Sequence, residues 1–257
     1  MSSWIIAKSI PKKTVTSLLT PYHDTSTSSD IPSIFMEVLA AYIYSQKLGN
    51  SCAIWDPTDI LSSSIKYNPQ VKLLKEKPNT PVMAPSTYVS ILSSMTFKQI
   101  QKFAFTLIEY TPVFNQTIYQ ILEKSGMKQG FDIGLHISSI TASDTMTGYI
   151  NIVKAYQAKS KKASLSIYIM TDSYDTVKEF QKMGSPSWKT LSLSKNAPKE
   201  ASDQFLQMMA DVEILKGLPA VVLDFKYSID RYIYLMQSNP IGYSFFKEVN
   251  DKPWQLF

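Results

Sequence analysis

Apolar positions change their period along this chain, and the changes divide it into elements. Residues 1–30 show no period and read as irregular, ending in the polar run HDTSTSSD. From there Ile34, Val38 and Tyr42, with Phe35, Leu39 and Ile43, form two adjacent i, i+4 rows. They predict a helix with one broad buried face. Asp30 and Pro32 suit its cap and first turn, LGN ends it, and SCAIW at 51–55 follows as a short buried strand. Residues 84–125 read as wholly helical, divided at Pro112. Asn115-Gln116-Thr117 matches a glycosylation sequon, but a helical position argues against its use. From residue 131 strand and helix alternate. FDIGLHI, LSIYIM, WKTLSL and PAVVLDF read as strands, and helical patterns of 10–17 residues separate them. Such alternation predicts an α/β fold with doubly wound parallel sheets. No internal repeat is present. The expected organisation is an N-terminal α/β lobe, 1–125, and a Rossmann-like lobe, 126–257, meeting at the SGMKQG turn.

Composition narrows the class. The chain has 257 residues, 44% hydrophobic and 18% charged, enough for two globular domains. No apolar run approaches the roughly 20 residues of a membrane span. The start MSSWIIAKSIPKKT is too weakly apolar for a secretory signal, so a soluble, cytoplasmic protein is expected. Cys52 is the single cysteine, which excludes an internal disulfide, and without a Cys/His cluster no metal is expected. The net charge is +5, but the basic residues are lysines except Arg231. Without arginine forks, and with the lysines scattered apart from a solvated KSKK turn at 159–162, no nucleic-acid partner is expected. Lysine in place of arginine suggests an A/T-rich genome, viral or microbial.

Open parallel sheets bind ligands beyond the carboxyl ends of their strands. Those ends fall here at His136 to Ser139, at Thr171-Asp172-Ser173, after Leu193, and from Asp224 to Arg231. His136 can donate or accept at a base or sugar edge. Asp172 and Asp211 suit the N–H groups of a base or the hydroxyls of a ribose. Arg231, near the start of a helix, suits a diphosphate, and Lys226 adds a second cation. Plain structural roles stand beside these: a satisfied strand histidine, an N-cap in TDS, Asp211 facing solvent, and Arg231 paired with Glu213 or Asp230.

The order of these segments resembles the GDP-fucose-dependent fucosyltransferases of the α1,6/O-fucosyl/NodZ-like group, whose fold is a two-lobed GT-B type. IGLHISSIT (133–141) is similar to that family's I-G-V-H-V-R-R-x-D strand, and YIMTDS (168–173) to its T-D-D strand end. MADVEILKGLPAVVLDFKYSIDRYIYLM (209–236) is similar to its L-D-I helix, strand and S-S-x-x-x-R helix start. The helical approach EYTPVFNQTIYQILEKSG also fits. The likeness covers residues 100–257 and, more loosely, 30–60.

The resemblance implies a fold and a site. His136 and Asp211 would contact the guanine base, Asp172 would shape the sugar-nucleotide pocket, and Arg231 would face the diphosphate. Ser138, Ser139, Lys226 and Ser228 complete the implied nucleotide-sugar site. Departures concentrate on the phosphate side. The family's arginine pair falls on Ser138 and Ser139, its acidic partner on Thr141, and its serine pair on Lys226 and Tyr227. Its glycine-rich loop falls near TSSDIPS, which has no glycine. Asp144 is the nearest carboxylate for a general base, so Asp144 and Arg231 are the expected catalytic pair. The implied activity is transfer of a sugar from a GDP-sugar to a hydroxyl of a glycan or protein, with no cofactor or metal. The second reading is an inactive scaffold of the same fold that binds partners; an oligomer is open under either.

Overall fold

The structure is a computed structural model. It describes residues 3–6, 14–18, 31–47, 49, 51–55, 65–74, 82–83, 92–125, 130–138, 143–196, 198, 200–237 and 245–248. The chain forms two compact units, 1–116 with 256–257, and 117–255.

In the first unit a five-stranded sheet has the order β5-β3-β2-β1-β6. Its strands are β1 (Ser3–Ile6), β2 (Thr14–Leu18), β3 (Ser51–Trp55), β5 (Val71–Leu74) and β6 (Val82–Met83). β2, β3 and β5 run parallel, whereas β1 is antiparallel to both β2 and β6, so this sheet is mixed. Two of its strands come from the stretch expected to be irregular. Helix α1 (Ile31–Lys47) packs on β2 and β3. Phe35, Val38, Leu39, Tyr42 and Ile43 are buried as their spacing predicts, and Met36, Ala40 and Ala41 are buried with them. Asp30, its expected cap, lies outside the described residues.

The middle segment departs from an unbroken helical reading. Helix α2 (Phe97–Leu107) opens on a capping box: Gln99 N–H donates to Thr96 Oγ1, and Thr96 N–H donates to Gln99 Oε1 at 2.8 Å. It ends at Ile108, where the chain turns extended into β7 (Ile108–Tyr110), antiparallel to β4 (Ile65–Tyr67). Pro112 then opens α3 (Pro112–Lys124), and a residue before proline is held out of the helical region. The break is thus local chemistry combined with a pairing partner some forty residues away, which a helical period cannot reveal.

The second unit is the regular one. Its sheet is wholly parallel, in the order β10-β9-β8-β11-β12. The strands are β8 (Ile133–His136), β9 (Leu165–Met170), β10 (Trp188–Leu191), β11 (Ala220–Leu223) and β12 (Phe245–Glu248), the last not foreseen from the sequence. Counted along the chain, the order is third, second, first, fourth, fifth. The winding therefore reverses between β8 and β11. Helices α4 (Ser143–Ser160) and α5 (Tyr174–Met183) pack together, as do α6 (Ala201–Lys216) and α7 (Ser228–Leu235).

The two faces of this sheet differ. One core joins Ile133, Leu135, Ile167 and Ile169 to Met146, Tyr149, Ile150 and Val153 of α4 and to Val177 and Phe180 of α5. Each such aliphatic side chain, once fully buried, contributes ~1.5–3 kcal/mol. The opposite face carries Gly134, His136, Tyr168 and Met170, because Gly134 pairs with Tyr168 and His136 with Met170. Here Gly134 sets the spacing. A methyl group at that position would stand 2.3 Å from Leu215 Cδ2 and 2.6 Å from Leu218 Cδ1. Leu215 of α6 occupies that space, and Asp211, one helical turn earlier, is carried along the strand towards His136. Among the described residues no helix is long and apolar enough to cross a membrane.

Candidate functional site

The winding reverses between β8 and β11, and the strand ends beside such a reversal are where doubly wound sheets take ligands. His136 is the last residue of β8, and its side chain is 11% exposed. Its Nδ1 lies 2.6 Å from Oδ1 of Asp230, which is fully buried in the first turn of α7. A carboxylate only accepts, so with Asp230 ionised Nδ1–H is the donor. The second Asp230 oxygen accepts the Asp224 backbone N–H at 2.7 Å. The Tyr227 ring packs edge-on to the imidazole with centroids 5.7 Å apart. From the other face of the sheet, Tyr149 donates its hydroxyl to the His136 carbonyl at 2.6 Å.

Charge around the imidazole is predominantly negative. Burial pushes the His136 pKa down, but Asp230, Asp211 and Asp172 act in the opposite direction and prevail, so it stands above the ordinary histidine value. Asp211 is 4% exposed and accepts a hydrogen bond from the Tyr168 hydroxyl. Burial lifts its carboxyl to about 7, against the lowering effects of the Tyr168 bond and the His136 charge. Tyr168 in turn accepts from the backbone at Leu193, and its own pKa rises with burial and with Asp211 beside it. The result is two hydrogen-bonded groups, Tyr168 with Asp211 and His136 with Asp230 and the Asp224 N–H, coupled by the charge interaction between Asp211 and His136.

The cations stand on the α7 side. Lys226 Nζ lies 2.9 Å from Asp224 Oδ2 and 4.7 Å from the Tyr227 ring centroid. That hydrogen bond to Asp224 raises the lysine pKa, and the ammonium is already neutralised within the chain. Arg231 follows Asp230 directly. Burial lowers its pKa, with Asp230 acting against the shift. One of its terminal nitrogens stands 3.5 Å from the Lys226 carbonyl. Its Nε is buried and has no hydrogen-bond partner among the described residues.

The candidates named from sequence are thus placed as follows. His136, Asp211 and Asp172 lie close enough for both carboxylates to act on the imidazole, with Asp211 buried and Asp172 exposed. Asp211 does not face solvent. Arg231 and Lys226 stand at the start of α7, and Glu213 pairs with Lys216 at 2.6 Å, leaving Asp230 as the carboxylate that acts on Arg231. Ser173 occupies the cap position of α5 without a side-chain cap bond, its N–H bonding Thr171 Oγ1 at 3.3 Å instead. Ser138 is half-buried just beyond β8, and Ser228 is the first residue of α7. Ser139 and Thr141 lie outside the described residues. Asp144 is in the first turn of α4, but its side chain is outside them too. Among the described residues no cluster of His, Cys, Asp and Glu could hold a metal ion. Sequence reasoning missed three groups: Asp230 as the partner of His136, Tyr168 as the partner of Asp211, and Tyr227 beside the imidazole.

No protein-family model and no curated protein matches the chain. Solved structures do. NodZ alpha-1,6-fucosyltransferase co-crystallised with GDP is similar at a TM-score of 0.57 and 12% identity, over 87% of this chain and 92% of that one. The selenomethionine form of NodZ from Bradyrhizobium gives a TM-score of 0.58 at 12% identity over the same shares. A variant of Arabidopsis thaliana FUT1 in complex with GDP gives 0.57 at 7% identity, over 88% of this chain and 68% of that one. At such identities the likeness establishes the fold. It is the α/β, fucosyltransferase-like fold of the GT-B type.

Proposed function

We propose that the second unit binds a nucleotide sugar, a GDP-sugar in the first instance, and that the protein is a glycosyltransferase acting on a glycan or protein hydroxyl. The observation that carries the reading is the convergence of His136, Asp211 and Asp172 at the reversal of the parallel sheet, with Arg231 one residue beyond the carboxylate that holds the imidazole. The fold of the NodZ and FUT1 structures, both with GDP, supports it. In this reading Asp211 accepts the ring and amino N–H groups of guanine. His136 presents Nε2 to the base, and Arg231 meets the diphosphate with the terminal nitrogens of its guanidinium. Transfer forms a bond between the acceptor oxygen and the anomeric carbon while the bond from that carbon to the diphosphate breaks. The electron pair leaves with the diphosphate, and the hydroxyl proton passes to a base, for which Asp144 is the candidate.

One observation favours the second reading, a scaffold that keeps the fold without turnover. Serines stand where the family resemblance places an arginine pair, and Lys226 is tied to Asp224. Preorganised charge on the leaving group is usually the largest rate term, each such donor being worth about 2.7–4 kcal/mol. Calorimetry with GDP, GDP-fucose and UDP separates the two. Micromolar GDP binding, weakened by Arg231→Ala, supports the transferase; silence for all three nucleotides removes it. Because Asp211 titrates at about 7 and must be ionised to accept from guanine, GDP binding at neutral pH should release protons to the buffer.

A further inference from the structure

An imidazole at a binding site has two nitrogens and two ring orientations, and which nitrogen meets the ligand is set by what holds the other. At His136 that group is Asp230, and its position is unusual in its consequences. The residue occupies the third position of α7, following Ser228 and Ile229, and its side chain is fully buried. One oxygen takes His136 Nδ1 at 2.6 Å and the other takes the Asp224 N–H at 2.7 Å, so both bonds orient a single carboxylate. Asp224 N–H belongs to the turn that carries Lys226 and Tyr227, and Tyr227 closes the imidazole from the side. A ring flip at His136 would break the Nδ1 bond and leave a buried carboxylate half satisfied, which is costly.

We propose that Asp230 is a positioning residue for base selection: by holding Nδ1–H of His136 and the turn at Asp224 at once, it leaves Nε2 alone to meet the nucleobase, in one fixed direction. The inference rests on the nucleotide-sugar reading above and adds to it the residue that decides how the imidazole reads the base. A purely structural Asp230 would stabilise the turn and leave base preference untouched. The groups that face His136 are Asp230 and Tyr227 at the start of α7, Asp211 from α6 and Asp172 after β9, so removing Asp230 leaves two carboxylates acting on the ring.

The test uses the full chain and Asp230→Asn, which keeps the size but offers a single acceptor oxygen for two donors. Nitrogen-15 spectra of the histidine rings report the tautomer, and calorimetry with GDP and UDP over pH 5.5–8.5 reports base preference. In the wild type, GDP is expected to move the His136 Nε2 signal while Nδ1 stays bonded. In Asp230→Asn the tautomers mix and the His136 pKa falls. GDP affinity drops by about tenfold, as for loss of one hydrogen bond of a charged group, while UDP affinity changes little. The inference is overturned, with the nucleotide reading intact, if GDP leaves the wild-type His136 signals unmoved. It is equally overturned if Asp230→Asn keeps the wild-type ratio of GDP to UDP affinity and the wild-type pH profile. A wild type that binds neither nucleotide overturns the reading underneath and this inference with it. The wild-type titration can overturn the inference even if the variant does not fold.

Discussion

Replacing Asp211 by asparagine keeps the shape of a buried side chain and removes only its ability to ionise. Asp211 titrates at about 7 in the fold, whereas a free aspartate titrates at about 3.9. At about 1.36 kcal/mol per pKa unit, the ionised native carboxylate costs roughly 4 kcal/mol. The sign follows from proton counting: from about pH 4 to about 7 the native state holds a proton that the unfolded chain has lost. Stability therefore falls as pH rises through that window and is level above it. Asparagine has no such slope, and its Oδ1 can still accept from Tyr168. At pH 5 the variant should match the wild type or be weaker by ~1 kcal/mol, because its amide N–H groups need acceptors. At pH 8 it should be the more stable. Between pH 5 and pH 8 the gap between the two profiles should open by roughly 2–3 kcal/mol, two pKa units at about 1.36 kcal/mol each. His136 contributes in the same direction in both proteins: with its pKa raised, its stabilisation is complete below about 6.5 and is lost as pH rises through the folded value. Urea unfolding at fixed pH, read by pulsed hydrogen exchange on the β8 and β9 amides, isolates the second unit. Parallel profiles from pH 5 to 8 would refute a neutral, buried Asp211.

Two further outcomes test the same region. Gly134→Ala places a methyl group 2.3 Å from Leu215 Cδ2 and 2.6 Å from Leu218 Cδ1, so α6 must shift or the leucines must leave their rotamers. A loss of about 1–3 kcal/mol is expected as a lower urea midpoint with an unchanged slope, and a neutral result would mean that the helix does not pack this closely. Arg231→Met removes a guanidinium whose buried Nε has no partner among the described residues. It should raise stability by about 1 kcal/mol while weakening GDP binding, whereas a loss of stability would show that the guanidinium holds the fold together.

The parts of this molecule that could be read from sequence are those held by local pattern. β8, β9 and β11 are apolar on successive residues because helices cover both faces, and α5 between β9 and β10 keeps a clean helical period. β1 and β2 escaped because a strand of four or five residues beside Pro11, Lys12 and Lys13 carries too little pattern to stand out. β7 escaped because its residues continue the helical period of α2, and it is the pairing with β4, together with Pro112 beyond it, that makes them extended. The site divides in the same way. His136 and Asp211 could be named because strand ends and family likeness point to them. The bond that defines His136 joins residues 94 apart in sequence, and no spacing rule reaches that far. Tyr168 read as one more apolar strand residue, although its hydroxyl is what Asp211 accepts from. Burial of Asp211 had a visible sign, its place one turn before Leu215 on the same helix stripe.

The unequal halves of the site bear on what the protein can do. On the side proposed for the base, Nδ1 of His136 is held by Asp230 and Asp211 by Tyr168. On the side proposed for the phosphates Lys226 is neutralised by Asp224, and Arg231 keeps a desolvated nitrogen with no partner among the described residues. An unsatisfied buried nitrogen costs about 1–3 kcal/mol, and contact with an anion falls to the terminal nitrogens of the same guanidinium. A nucleoside diphosphate is therefore expected to bind, drawing on the base contacts and one guanidinium. Turnover asks for more, since charge grows on the departing diphosphate and each missing donor lowers the rate by about 100- to 1000-fold. Binding and transfer must accordingly be measured apart. Tight GDP binding with slow transfer from GDP-fucose is what this arrangement predicts. Fast transfer would mean that the phosphate is gripped by residues other than Arg231 and Lys226.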